Sequence, residues 1–375
     1  MTRNSSSRLQ SLLSLVLAVI SLMVVGGCGS GVASSGQIVN TPPSLTPTIT
    51  AATQQGGAEL ITMSSQVSGA SIYYTTDGSQ PTTNSLAYLA PFLITQTTTV
   101  NAIAVSATAQ SSVVSQAYTL SIPPGTLVWS DEFTNTTSSN AQPNPATWTY
   151  DTGASGFGNM ELEDYCAWGS NLSPCNSSNP NAYVGTDGYL HIVAEQPSPA
   201  AYTSARIKTQ GLFSMSYGRL EVKMMIPEGQ GFWSGLWLMG NNFATAGWPI
   251  CGEQDVVEHV NAAVPDQILG SVHMPSGNST HTYGPAGFSA GSWHTYGMIW
   301  TKGQVEYYVD SPSNIYAIYT AANFTANGGT WPFDSGNANF IIMNLAVGGL
   351  LPGSPNGSTP FPSQMLVDYV RLYTN

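Results

Sequence analysis

CGEQDVVEHV, residues Cys251 to Val260, crowds Glu253, Asp255 and Glu258 into six positions of a chain in which 7% of residues are charged. The valines among them read as a β-strand, in which side chains alternate between faces. Strict alternation points Glu253 and Asp255 one way and Glu258 the other. One extra residue, a β-bulge at Val256 and Val257, would bring Glu258 back, and bulges gather where a side chain has to be re-aimed. The expectation is a bulged strand carrying three carboxyl groups in one row on one sheet face.

Such a row has a chemical use. Neighbouring carboxylates repel, so at least one pKa rises and one group stays protonated near neutral pH. Hydrolysis of a glycosidic bond with retention of configuration needs an ionised carboxylate and a protonated one about 5 to 5.5 Å apart. Glu253 and Glu258 are the candidate pair, with Asp255 between them. The competing reading is a solvated acidic edge. Trp233, Trp237 and Trp248, just upstream in GFWSGLWLMG and AGWPICGEQD, favour the first, because aromatic faces beside acids suit sugar rings. Each tryptophan taken alone reads as core.

Strand patterns fill the rest of the chain. GYLHIVAE, YGRLEVKMMI, WHTYGMIWT, QVEYYVD, FIIMNLAV and MLVDYVRLY alternate or run apolar, and almost nothing shows sustained helical periodicity. The expected fold class is all-β, with two packed antiparallel sheets over residues 126–375. A second, smaller β-sandwich is expected over residues 46–120, where ASIYYTTDGSQPTT breaks at Asp77-Gly78 and TTTVNAIAVSA resumes the alternation. SIPPG, Ser121 to Gly125, divides the two, since paired prolines cannot continue a ladder. The small domain holds no carboxylate pair or metal cluster and reads as a spacer, its Tyr73, Tyr74 and Tyr88 serving packing as readily as sugar binding.

At 375 residues the chain has room for both domains. A formal charge of −12, with only 8 Lys and Arg, leaves few cations to displace the counterions of a phosphate backbone, so nucleic acid is not an expected partner. A surface of Ser, Thr, Asn and Gly suits neutral molecules such as sugars, and a monomer is expected.

Arg3 and Arg8 precede the apolar run LLSLVLAVISLMVV and then GGC. A basic start, a short apolar stretch and small residues describe an export signal over residues 1–28, too short for a comfortable membrane span. VVGGCGS also resembles a bacterial lipobox, with Val25 where leucine is more usual. Cys28 would then be lipidated as the first mature residue, and the membrane would be met through that anchor alone, at the cell envelope. Residues 29–45 are rich in Gly, Ser and Pro and read as a flexible linker. Cys166 and Cys175 bracket the turn-rich CAWGSNLSPC and are expected to close a local disulfide, leaving Cys251 as a buried thiol.

GEQDVVEH resembles the signature of glycoside hydrolase family 16, in its bulged, laminarinase-like branch, where the pattern is Glu, an apolar residue, Asp, two residues and Glu. The likeness continues in order through WSDEF, GFGNMELEDY, DGYLHIVA, YTSARIKTQGLFSMSYGRLEVKMMIPEGQGFWSGLWLMG, WHTYGMIW, WPFD, FIIMNLAVGG and VDYVRLY. SIYYTTDGSQPTTNSLAYLAPFLITQTTTVNAIAV resembles the immunoglobulin-like domain at the C-terminus of chitobiases. The first resemblance implies a concanavalin A-like β-jelly-roll with a sugar-binding cleft along its concave sheet, and endo-acting cleavage of β-1,3-glucan. It makes Glu253 the nucleophile, Glu258 the general acid and then base, and Asp255 the partner that tunes the nucleophile. It also implies sugar contacts from Asn159 and Glu161 of GNMEL, Arg206 of YTSARI, Trp233, Trp237, Trp248, and His273 of GSVHMP. Catalysis in the family needs no cofactor. Members often bind a structural calcium away from the cleft, to which Glu132 and Asp368 could contribute.

The chain departs from the family pattern in three places. Gln254 stands where an apolar residue is usual; facing away from the acids, it needs a partner or a water. Met160 replaces a frequent Asn, and GGLLPG replaces the common GGNWPG, which removes a tryptophan near the cleft. The same motif serves enzymes of mixed-linkage glucan, agar, porphyran and carrageenan. The scarcity of Lys and Arg favours neutral glucan over sulfated chains. A glycan-binding lectin on the same fold is the alternative from a different class, and the three retained acids argue against it.

Overall fold

The computed structural model describes residues 42–261, 266–326 and 328–375. The expected export signal, the lipidation site Cys28 and most of the 29–45 linker lie outside the described residues. Two sheets build the larger domain, as the strand patterns predict. One has seven strands in the order Gly277–Tyr283, Ile268–Met274, Glu253–Val260, Phe232–Gly240, Asn339–Val347, Arg206–Lys208 and Thr149–Asp151. The other has ten, with Leu190–Ser198, Ser363–Tyr373, Gly218–Met225, His294–Thr301 and Gln304–Val309 side by side in its middle.

Alternation decides which face of the seven-stranded sheet is free. In Phe232–Gly240, Phe232, Ser234, Leu236 and Leu238 are buried, whereas Trp233 and Trp237 stand half-buried on the other face. The buried set shares one core with Leu220, Val222, Met224, Met298, Trp300, Met365 and Val367 of the ten-stranded sheet. Two sheets that commit their inner faces to a common core leave the outer faces for function.

The small domain pairs Thr48–Thr53, Glu59–Ser64 and Phe92–Ile94 in one sheet and Leu86–Ala87, Ser71–Thr75, Thr98–Val105 and Val114–Tyr118 in a second. Tyr74 is buried and stacks on Phe92 with ring centroids 4.7 Å apart, so it is a packing residue. The domain is docked on the larger one. Ala58 and Leu93 join the core of the larger domain, and Ala338 joins that of the smaller. Ser214 Oγ donates to the Pro91 carbonyl at 2.8 Å. Gly56, at φ +62°, approaches so closely that a Cβ there would lie 2.6 Å from the Leu127 carbonyl oxygen. Pro43–Asn375 accordingly forms one compact unit.

Cys166 and Cys175 are joined as expected, with Cα atoms 5.7 Å apart. Cys251 is a free, buried thiol, and burial pushes its pKa up to about 11.

Candidate active site

The bulge falls at the two valines. Leu236 pairs with Val257 and Trp237 with Asp255, which leaves Val256 without a counterpart. On the other side of the strand the register breaks between Asp255 and Glu258. Val256 and Val257 are both fully buried, and the Tyr316 hydroxyl donates to the Val256 carbonyl at 2.6 Å, giving a partner to a group that the broken ladder frees. Glu253 now lies opposite Met239, Asp255 opposite Trp237 and Glu258 opposite Gly235, all on the face of the half-buried tryptophans. The acid row is formed.

Electrostatics in the row follow from burial and crowding. Burial, and then charge repulsion within the row, lift Glu253 and Asp255 well above the usual carboxylate range. Burial also raises Glu258, while donors from Ser271 and Trp233 pull it back down. Trp233 Nε1 donates to Glu258 Oε1 at 3.2 Å, and Ser271 Oγ donates to Oε2 at 3.1 Å. His273 Nε2 lies 3.1 Å from Asp255 Oδ2 and 3.9 Å from Glu253 Oε1. One carboxyl able to give a proton therefore shares a face with another able to carry charge.

Aromatic rings flank the row on both sides. Trp248, 55% exposed, lies 5.9 Å from the His273 ring beyond the acid strand. Across the neighbouring strand the Arg206 guanidinium sits 4.6 Å over Trp237 and 5.2 Å over Phe157. Arg206 is also ion-paired to Asp151 at 2.9 Å, and Lys208 pairs with the same carboxylate. Gly235 makes room for this layer: a Cβ there would lie 3.2 Å from Trp237 Cδ1 and 3.1 Å from Asn344 Oδ1.

Asn159 fastens a loop to the rim. Its carbonyl accepts the Leu350 N–H at 2.7 Å and its Oδ1 the Leu351 N–H at 2.9 Å, so two of its acceptors serve GGLLPG, and Nδ2 has no partner among the described residues. Glu161, expected as a sugar ligand, requires a correction. It is buried, and its carboxylate accepts from the Tyr165 hydroxyl at 2.9 Å and meets Glu163 instead of facing the cleft. Gln254 faces the inter-sheet core, fully buried, and neither amide atom has a hydrogen-bond partner among the described residues.

The residues suggested for calcium are taken by cations of the chain itself. Glu132 receives Arg371 through two hydrogen bonds of 2.9 and 2.8 Å, and Asp368 receives Lys223 Nζ at 2.7 Å. A guanidinium and an ammonium stand where an oxygen-lined ion would need room. Among the described residues, the His, Cys, Asp and Glu side chains close enough to hold a metal as a group of three are Glu253, Asp255 and His273, within 4.8 Å of one another. That group is the acid row itself.

Residues 171–371 match the model of glycosyl hydrolases family 16. The chain belongs to this family. Residues 61–118 match a second family model, Fn3 associated, which covers most of the small domain. The β-glucanase of Rhodothermus marinus is 35% identical over 67% of this chain and 86% of its own length. Glucan endo-1,3-β-glucosidase A1 of Niallia circulans is 33% identical over 66% of this chain, which spans 37% of that longer protein. The crystal structure of the laminarinase catalytic domain from Thermotoga maritima superposes with a TM-score of 0.58 at 33% identity, covering 68% of this chain and 99% of that one. The two-sheet domain of this family 16 chain is accordingly a jelly-roll.

Four residues that shape the site escaped the sequence reading. Ser271 holds Glu258; it lies two positions from His273 on the same strand face, so alternation alone signals it. Asn344 accepts the Trp237 indole N–H at 2.9 Å, and its signal is being the one polar side chain in FIIMNLAV. Glu163 and Tyr165 lie behind the cleft; ELEDY is the second crowding of acids in a chain with few charges.

Proposed function

We propose that the protein is an exported endo-β-1,3-glucanase that cleaves laminarin-type glucan with retention of configuration. The observation that carries this reading is the bulged row, which sets Glu253 and Asp255 on one face beside a Glu258 with its own donors. Glu258 protonates the glycosidic oxygen as Glu253 attacks C1. Water then resolves the glycosyl-enzyme, with Glu258 as base. Asp255, beside Glu253 on the same face, tunes the charge that Glu253 delivers. When Glu258 has given up its proton, the Trp233 N–H and the Ser271 O–H steady the carboxylate left behind. The two carboxyl groups supply the whole of the chemistry, so no cofactor enters it.

Glucan is favoured over sulfated galactans by the charges on the cleft face. Arg206 and Lys208 both end on Asp151, so neither is left free to meet a sulfate. The remaining parts of the reading are a bulged, laminarinase-like family branch, a chitobiase C-terminal-like small domain, a monomer, and an anchor on Cys28 that holds the enzyme at the bacterial envelope.

Incubation with laminarin, mixed-linkage glucan and carrageenan tests the substrate. Laminarin is expected to give new reducing ends and short oligosaccharides, with the β-anomer appearing first. Binding without new reducing ends would replace the enzyme by a lectin. Mass spectrometry of the mature protein should find a lipid-modified Cys28 at its N-terminus; an unmodified residue 28 would remove the anchor.

A further inference from the structure

Behind the cleft the fold buries a second pair of carboxyl groups. Glu163 is fully enclosed and Glu161 nearly so, 0% and 8% exposed. Glu163 Oε2 accepts the Val347 N–H at 2.8 Å, whereas among the described residues no N–H or hydroxyl donor reaches Oε1. Its neighbour in this dry site is Glu161, and two carboxylates in contact away from water cannot both stay charged, so one of the pair carries a proton. The positive charge of Arg206 acts to lower the Glu161 pKa, which favours Glu161 as the ionised partner. Glu163 keeps the proton.

From Glu161 a chain of hydrogen bonds runs to the cleft. The Tyr165 hydroxyl donates to Glu161 Oε2 at 2.9 Å and accepts from Asn344 Nδ2 at 3.2 Å, and Asn344 Oδ1 accepts the Trp237 indole N–H at 2.9 Å. Every donor between Trp237 and Glu161 points the same way. Such a chain keeps that direction while Glu161, its last acceptor, is held in place. Trp237 is the ring on which Arg206 rests, and it flanks the acid row.

We propose that Glu163 is a positioning residue for glucan binding, its carboxyl proton holding Glu161 as the terminal acceptor that fixes the Trp237 ring in the cleft. The inference rests on the β-glucan reading above. Loss of the proton would set two carboxylates against each other in a dry site, and the acceptor end of the chain would come apart. Glu163 touches no reacting atom, so it acts on affinity and leaves the chemical step to the acid row.

Binding of a β-1,3-glucan hexasaccharide, measured by calorimetry from pH 6 to 10 on a Glu253→Gln background that prevents hydrolysis, tests this. With Glu163 present, Kd is expected to be flat near neutrality and to weaken about tenfold as the pH passes 9. Adding Glu163→Gln, whose amide can donate as the protonated acid does, is expected to keep the neutral Kd at every pH. Glu163→Leu, which cannot donate, should bind about tenfold more weakly throughout. If Glu163→Leu does not fold, the Glu163→Gln curve decides. An alkaline loss of affinity that survives in Glu163→Gln, or neutral affinity retained by Glu163→Leu, would overturn the relay alone. Absence of binding at every pH would overturn the glucan reading with it.

Discussion

Trp233 donates its indole N–H to Glu258 Oε1 at 3.2 Å, from a strand whose register with the acid strand is set by the bulge. The bond favours the ionised form of Glu258, so it lowers a pKa that burial raises. Trp233→Phe keeps the ring and removes the donor. Hydrogen bonds to charged groups contribute about 1.5–3 kcal/mol, so kcat/KM is expected to fall by roughly ten- to a hundredfold. The same loss lets the Glu258 pKa rise, and the alkaline limb of the pH–rate profile should move to higher pH. A limb that stays in place would show that the indole does not act on the acid.

Much of this site could be read from the chain because its geometry is local. Alternation plus one extra residue at Val256 and Val257 is enough to put Glu253, Asp255 and Glu258 on one face, and the strand periodicity of the flanking segments gives two sheets. What escaped depends on partners far apart in sequence. Glu161 turns away from the cleft because Tyr165 and Glu163 hold it, and Asn344 enters the site through a strand more than 170 residues downstream of Tyr165. The docking of the small domain escaped for the same reason: Ala58, Leu93 and Ala338 look like ordinary core residues of their own strands until the two cores meet.

Gln254 is the clearest stability defect. Its amide is fully buried without a hydrogen-bond partner among the described residues, directly behind the acid row. An unpaired buried amide costs about 1–3 kcal/mol, and an apolar side chain of similar volume removes that cost. Gln254→Leu is expected to raise the thermal midpoint by a few degrees with kcat unchanged. A lower midpoint would mean that the amide is satisfied by buried water.

Stability should depend on pH through Glu163. Burial, and then the neighbouring Glu161, push its carboxyl up to about 9, whereas an unfolded glutamate titrates near about 4.3. Between those values the folded chain keeps a proton that the unfolded chain has lost. The stabilisation is therefore fully present below the window and is lost as pH rises through it. Thermal melts from pH 5 to 9 should fall more steeply for the parent than for Glu163→Gln. Parallel curves would contradict the buried proton.

Thiol chemistry separates the cysteines. Cys251 is buried, with its thiol pushed up to about 11, and Cys166 is bonded to Cys175. Protein that begins after residue 28 should show no rapid reaction with a disulfide reagent when folded, and one thiol after denaturation without reductant. Three thiols would mean that the disulfide does not form.

The roles of the two glutamates are tested most directly by azide rescue with an activated aryl β-glucoside of a β-1,3-linked disaccharide. Glu258→Gly leaves the nucleophile in place, so azide should enter after the glycosyl-enzyme has formed and give the β-glycosyl azide. Glu253→Gly leaves a gap where the nucleophile stood, so azide should attack directly and give the α-glycosyl azide. The α-product from Glu258→Gly together with the β-product from Glu253→Gly would reverse the assignment and contradict the account.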